Sequence, residues 1–460
     1  MTAPEEQASE REQLEAEWQR AFAWVEERLG GRITHFERQP RWRPAFYLDV
    51  QCGDETLPVY FRGDRGSADH GVYPLEHEFR ILEVLAAENI PVPKLYGFCE
   101  EPRGIVMERC PGRANLATAE SPEEERAVLD DFVDILARMH ALDVSKFEAV
   151  GIERPKDTHA LGLGDFGRWE HAYRSHKLRP DPSIEFTIQW VKENTPSGRR
   201  KVSFLQGDSG QFLFEKGRVT TLIDLELAYL GDPLADLAGL FTRDLSEPMG
   251  DLHHALARYG EQSGEPVDPR VVMYHGVRFG ICTPMSIAHL VAKPTPELDL
   301  VQYLAWYWVY CRTPLEWIAL LEDIRIEPWT PPEPRPTWHS SGHDFLAGAI
   351  DAIPAEDTFA RYQRDVAARS ASYLRRAEDW GPELAADDLA EAASILGSRP
   401  ADWQQADAAL EERIAQGNGD PGLHQALIAF FLRRCQRNEW LLAPVLRELT
   451  DASFQTPDLG

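Results

Sequence analysis

The chain has 460 residues, 43% of them hydrophobic, and a formal net charge of −28 from 76 acids against 48 bases. That length predicts two or three domains with enough apolar content for real cores. The charge excludes nucleic-acid backbones and anionic membrane surfaces as main partners, because both would be repelled; it suits a solubilising surface, or a cleft that draws in a cationic substrate.

The N-terminus, MTAPEEQASEREQLEAEW, lacks a basic region followed by an apolar one, so no signal peptide is expected. Leu14, Trp18, Phe22, Val25 and Leu29 then recur at helical spacing ahead of Gly30 and Gly31, which predicts an amphipathic helix ended by glycine. From Ile33 to Arg62 the pattern shortens to ITHFER, FYLDVQC and LPVYFRG, an antiparallel meander. A helix is expected from Pro74 to Glu88, with Leu75, Phe79, Leu82 and Leu85 on one face. IPVPKLYGFCEEPRGIVMERCPG adds two strands, and SPEE at Ser121 opens a capped helix running to Leu142.

The strand VSFLQ precedes the hairpin FLFEKGRVTTLI, which turns at Lys216 and Gly217 and returns as the strand VTTLI. The apolar run from Leu300 to Leu321 contains Arg312, Pro314 and Glu316, so it reads as one or two buried helices and not as a membrane span. Its aromatic residues, Tyr303, Trp306, Tyr307, Trp308 and Tyr310, suit a helix core better than an acceptor pocket. EPWTPPEPRPTWHSSGHD reads as a semi-rigid linker, followed by three or four alanine-rich helical segments; GNGDPG between two of them is a turn and lacks the acid spacing of a calcium loop. Cys52, Cys99, Cys110, Cys282, Cys311 and Cys435 show no metal-ligand spacing and read as reduced thiols of a cytoplasmic protein.

Phosphoryl transfer from a nucleotide needs a cation at the phosphates, a carboxylate on magnesium, an acid at the acceptor hydroxyl and a further metal ligand. Arg62 ends a strand and Glu78 sits on the next helix, so the two could pair; Asp208 and Asp224 bracket the hairpin, which would bring both carboxylates to one centre. Singly, each of these residues reads as a surface charge or a turn. Their order along the chain carries the signal.

In that order the sequence resembles the aminoglycoside phosphotransferase and choline-kinase-like small-molecule kinases, across roughly residues 33–325. The motifs are the Arg62 strand, HEF at Glu78, IPVPKLYG, IVMERCPG, ARMHALD at His140, GD at Asp208 and IDLELAYLGDPLADLA. The resemblance implies an α+β, bilobal protein-kinase-like fold: an N-lobe over residues 1–110, a C-lobe over 111–327, a linker over 328–343 and an all-α accessory domain over 344–460. It implies that Asp208 orients or deprotonates the acceptor hydroxyl and that Asp224 binds magnesium with Gln211. Arg62 and Glu78 would grip the phosphates of ATP or another nucleoside triphosphate, while the hinge from Val106, with Met107, Glu108 and Arg109, would hold adenine. Asp232, Pro233 and Asp236 would brace the site, and His140 would pack. Glu226 and Gln206 stay open between supporting the metal ligands and touching the acceptor, a small hydroxylated molecule such as an aminoglycoside, a choline-like alcohol or a hydroxyacyl thioester.

Three features depart from the family pattern. Gln206 replaces a histidine, the loop is two residues shorter with Gln211 in place of an asparagine, and RQPRWRPAF has no glycine where a phosphate-covering loop is expected. They keep a second reading in view, a kinase-like binding protein with weak or no transfer. The tail resembles a helical domain found beside such kinases in bacteria, which suggests an assembly role, a homodimer among others.

Overall fold

The structure, a computed structural model, describes residues 15–39, 43–65, 72–296, 298–356, 358–417 and 420–458. Leu14, residues 40–42 of the glycine-free loop and residues 418–419 of GNGDPG lie outside the described residues. The chain folds into two compact units: Met1–Pro155, Lys201–Asp236 and Glu247–Val267 form one, and Lys156–Arg200, Leu237–Ser246 and Asp268–Gly460 form the other.

The first unit opens with helix α1 (Ala16–Leu29), capped by Gly30 in the left-handed region at φ 63°. A five-stranded antiparallel sheet follows, built from β1 (Arg32–Arg38), β2 (Ala45–Cys52), β3 (Glu55–Gly63), β4 (Leu95–Glu100) and β5 (Arg103–Glu108) in the order β1-β2-β3-β5-β4. Helix α2 (Leu75–Ala87) lies between β3 and β4 in sequence.

The two-residue pleat divides β3 between the sheet's faces. Val59 and Phe61 join a buried cluster with Trp18, Phe22 and Val25 of α1, whereas Tyr60 packs with Leu75 and Phe79 of α2 around Ile105 and Met107. Arg62 continues the Tyr60 register, so it emerges on the α2 face, paired between Ala45 of β2 and Ile105 of β5. On α2, Leu75, Glu78, Leu82 and Leu85 recur at helical spacing and are all buried. Glu78 is therefore a carboxylate set into an apolar stripe, 2% exposed.

Helix α3 (Pro122–His140) starts as SPEE predicts, with the Ser121 hydroxyl accepting from the Glu124 N–H at 3.2 Å. The remaining strands of this unit form two small antiparallel pairs: β6 (Ser203–Leu205) with β9 (Tyr229–Gly231), and β7 (Phe212–Glu215) with β8 (Arg218–Leu222). Lys216 and Gly217 have φ values of 49° and 74°, the two positive angles of a type I′ hairpin turn. Past β9, the Asp232 carboxylate accepts from the Leu234 N–H at 3.1 Å and starts helix α4 (Leu234–Asp244).

In the second unit the aromatic run forms a single helix, α5 (Leu300–Leu321), although it contains Pro314. Tyr303 and Tyr307 are buried in it, and the Tyr310 hydroxyl donates to the Thr242 carbonyl at 3.1 Å, while Tyr307 and Trp308 also line a cavity of about 480 Å³. The tail forms α6 (Ser340–Asp351), α7 (Thr358–Leu396), α8 (Trp403–Ala415) and α9 (Pro421–Leu442). The proline-rich stretch is pinned along α7, where the Trp380 indole donates to the Pro332 carbonyl and the Arg335 N–H to the Asp379 carbonyl, both at 2.9 Å. Among the described residues, no helix is long and apolar enough to cross a membrane.

Asp181 caps the helix Pro182–Glu193 and also accepts from the Tyr307 hydroxyl. Burial pushes its carboxyl up to about 6, only partly offset by the Tyr307 hydrogen bond. The folded chain thus keeps a proton that the unfolded chain releases near pH 4, so this group's contribution is present below about pH 4 and is lost as pH rises through about 6. Asp181→Asn keeps the cap and removes the titration. Its unfolding midpoint in urea should gain on the parent between pH 5 and pH 7.5; parallel curves would show that Asp181 does not titrate in this way.

Candidate active site

Arg62 is the hub of the cleft in the first unit. Its Nε donates to Glu78 at 2.8 Å, and its Nη2 donates to Asp224 and, at 3.1 Å, to Glu226. Burial alone would depress the guanidinium pKa, but Asp224, Glu78 and Glu226 outweigh it and hold Arg62 well above its ordinary value. For Glu78 burial wins: its carboxyl is raised, with Arg62 pulling it back and Asp224 and Glu226 adding repulsion. The Glu78 Oε1 also accepts the Leu225 N–H at 3.1 Å, so α2 holds the backbone next to Asp224 directly. Asp224 itself has φ 58°, a left-handed angle that aspartate adopts more readily than most non-glycine residues.

The hairpin brings the other half of the site to this hub. Pairing of Phe212 with Leu222 places Gln211 and Ile223 side by side, joined by the Ile223 N–H to Gln211 carbonyl bond at 3.2 Å. Gln211 and Asp224 then line one cleft of about 290 Å³ together with Arg62, Glu78, Met107, Glu108 and Arg109. Asp208 joins through Gln211, whose side-chain N–H donates to its carboxylate at 2.8 Å.

The two departures in this loop have a visible consequence. Gln206 is fully buried; its amide N–H groups donate to the carbonyls of Gln211 at 2.9 Å and Ile223 at 3.4 Å, while its Oε1 accepts from Gly210 at 3.4 Å. One side chain therefore spans the shortened loop and ties it to the strand end before Asp224. Gly207, at φ 87°, runs so close to the neighbouring segment that a Cβ would lie 2.0 Å from the Leu227 carbonyl oxygen. Glycine is required there on both counts.

Asp236 carries more of the site than its sequence context suggested. Its carboxylate accepts the N–H groups of Gln206 and Gly207 at 2.7 and 2.9 Å and contacts His140 Nε2 at 3.0 Å; His140 Nδ1 in turn meets the Tyr259 hydroxyl at 2.8 Å. Three elements are thereby clamped to the two residues ahead of Asp208. His140 is a packing residue that orients this clamp. Glu226 receives Arg43 and Arg65 in addition to Arg62, two partners that sequence reasoning missed because nothing local to them signals a distant carboxylate.

At the hinge, the N–H groups of Glu108 and Arg109 donate to the Lys94 and Pro58 carbonyls at 2.8 and 3.1 Å. Cys110, one residue beyond the predicted hinge, also lines the cleft, and among the described residues its N–H makes no backbone hydrogen bond.

As a metal site, the cleft sets the Asp224 carboxylate beside the Gln211 amide at the mouth of the hairpin. Both are hard oxygen donors, and no group of three or more acidic, histidine or cysteine side chains able to hold a metal occurs among the described residues. That set suits magnesium, which typically takes one or two protein ligands and completes its shell with phosphate oxygens and water.

Comparison with known proteins agrees with this geometry. A solved structure from Ralstonia eutropha JMP134, provisionally described as an aminoglycoside phosphotransferase, superposes with a TM-score of 0.50 at 20% identity, covering 65% of this chain and 96% of that one. The fold is therefore α+β and protein-kinase-like. Residues 67–273 match the model of the phosphotransferase enzyme family. Among curated relatives, acyl-CoA dehydrogenase family member 10 of Mus musculus is 28% identical over 42% of this chain and 19% of that protein. Acyl-CoA dehydrogenase family member 11 of Homo sapiens is 27% identical over 44% and 26%. The chain thus spans about a quarter or less of the length of these relatives.

Removing one member of a buried ion pair typically costs about 3–5 kcal/mol, because its partner is left charged and unsolvated. Arg62→Met should lose stability on that scale in urea unfolding, and Arg62→Met/Glu78→Leu should recover a measurable part of it. A double variant as unstable as the sum of the two single ones would show that the pair is not coupled.

Proposed function

We propose that this protein is an ATP-dependent phosphotransferase that moves the γ-phosphoryl group to a hydroxyl of a small molecule. The observation that carries this reading is the convergence of Arg62, Glu78, Asp224 and Gln211 on one cleft, with Asp208 hydrogen-bonded to Gln211. Adenine sits against the hinge at Met107, Glu108 and Arg109, with the Cys110 N–H as a backbone donor. Arg62 grips the phosphates, and Glu78 keeps it aimed. Asp224 and Gln211 hold magnesium, which when bound neutralises charge on the phosphates. Asp208 accepts the proton of the acceptor hydroxyl, and the Gln211 amide fixes the carboxylate's rotation while that hydroxyl is positioned. Gln206 acts as a loop brace and Glu226 as an arginine holder, so neither is assigned to the acceptor.

For the acceptor we favour a hydroxyacyl thioester over an aminoglycoside or a choline-like alcohol, because the curated relatives are named for acyl-CoA chemistry. A cytoplasmic location goes with six free cysteines. The accessory segment 344–460 is proposed to mediate homodimerisation, supported by exposed apolar side chains at Phe345, Leu346, Ile353, Phe359 and Leu374.

The native chain should show a raised melting temperature with ATP and magnesium. Asp208→Ala should keep that shift and lose turnover on the cognate acceptor by about 10²–10⁴-fold, the usual contribution of a positioned base. Undiminished turnover would remove Asp208 from the mechanism. ATP binding without transfer to any hydroxyl acceptor would favour the kinase-like binding protein.

A further inference from the structure

Glu226 lies two residues beyond Asp224 and collects three guanidinium groups. Its Oε2 accepts from Arg43 and from Arg62, and its Oε1 accepts from Arg65. The three arginines come from different places: Arg62 from inside β3, Arg65 from just past its end, and Arg43 from the approach to β2. Arg43 is only 4% exposed, and the Arg65 side chain 12%. Two long, strongly solvated side chains have thus been drawn out of water to meet at one carboxylate that Arg62 already contacts.

A single carboxylate offers two oxygens, and each is used here. Guanidinium forks match phosphate as well as carboxylate geometry, and a terminal phosphate offers three oxygens and more charge. Position points the same way. Arg43, Arg65 and Glu226 line a small recess of their own with Tyr73 and Leu75, and Glu226 links it to the nucleotide cleft because its Oε2 also accepts from Arg62. The sequence that approaches β2, RQPRWRPAF, has no glycine but carries three arginines, whose guanidinium groups are phosphate donors.

We propose, resting on the nucleotide reading above, that Arg43 and Arg65 bind the terminal phosphates of the nucleotide through their guanidinium groups. Glu226 is the internal anion that keeps them gathered and releases them as the phosphates arrive. Side-chain phosphate recognition replaces the glycine-loop cradle in this chain. Glu226 is then a competitor for the arginines as well as their holder.

Isothermal titration of the full chain with magnesium–ATP, ADP and adenosine tests this. Arg43→Ala and Arg65→Ala should each weaken ATP by about ten- to a hundredfold, the scale of a lost charge-assisted hydrogen bond, and ADP by less. Adenosine affinity should stay unchanged, which also reports that the cleft is folded. Arg43→Lys should retain part of the ATP affinity, and Glu226→Gln should tighten ATP severalfold by removing the competing charge. ATP affinity unchanged in both alanine variants would overturn the proposal while leaving the phosphotransferase reading intact. An equal loss of adenosine binding would also overturn it, since the arginines would then be shaping the cleft and not reading phosphate. If the native chain bound neither ATP nor adenosine, the nucleotide reading itself would fail and this proposal with it. Should Arg43→Ala not fold, Arg65→Ala decides alone.

Discussion

A guanidinium buried in the middle of a β-sheet is the constraint around which the first unit is arranged. Arg62 sits on the central strand, and the pleat that sends Val59 and Phe61 into the core under α1 sends it to the opposite face. A charge there is tolerable only if carboxylates and hydrogen bonds replace the lost water. That requirement recruits Glu78 from α2 and Asp224 and Glu226 from the segment after β8. Meeting it fixes how the sheet, α2 and that segment sit together within this unit, and it brings the same groups to one wall of the cleft. Stability and the proposed chemistry thus draw on one set of ions.

The parts of this arrangement that obey a local period were legible in the sequence. α1, the strands, α2, α3 and the β7–β8 hairpin follow from apolar spacing, capping residues and a Lys-Gly turn, and each lies within a few residues of its expected span. Arg62, Glu78, Asp208, Gln211 and Asp224 could be picked out because each sits at a strand end, on a helix face or in a turn of a recognisable series. Glu78 also carried a purely physical signal, an acid at an apolar-stripe position of α2.

What could not be read locally was long-range polar contact. Arg43 and Glu226 are 183 positions apart, and Asp236 and the Gln206 N–H it accepts are 30 apart. Neither contact leaves any trace in periodicity or composition. The same holds at Glu108 and Arg109: strand pairing decides which backbone N–H groups are spent within the sheet, and residue type says nothing of it.

The shortened loop follows from the same logic. A loop that loses two residues loses reach, and something must restore the contacts that the missing chain would have made. Asp236 fixes its start through two backbone N–H groups, and Gln206, with donors and an acceptor on one long arm, ties its middle to the segment leading into Asp224. A histidine ring at 206 would offer only two nitrogens in a fixed plane, fewer bonds than the amide makes here. The replacement of histidine by glutamine and the deletion are therefore best understood together, with the longer side chain supplying the span that the shorter backbone gave up. Gln211 obeys the same rule at the far end, its extra methylene letting the amide hold Asp208 at 2.8 Å while its own residue stays at the mouth of the hairpin beside Asp224. The loop is thus held from both ends by glutamine side chains, Gln206 bonding Gly210, Gln211 and Ile223 and Gln211 bonding Asp208.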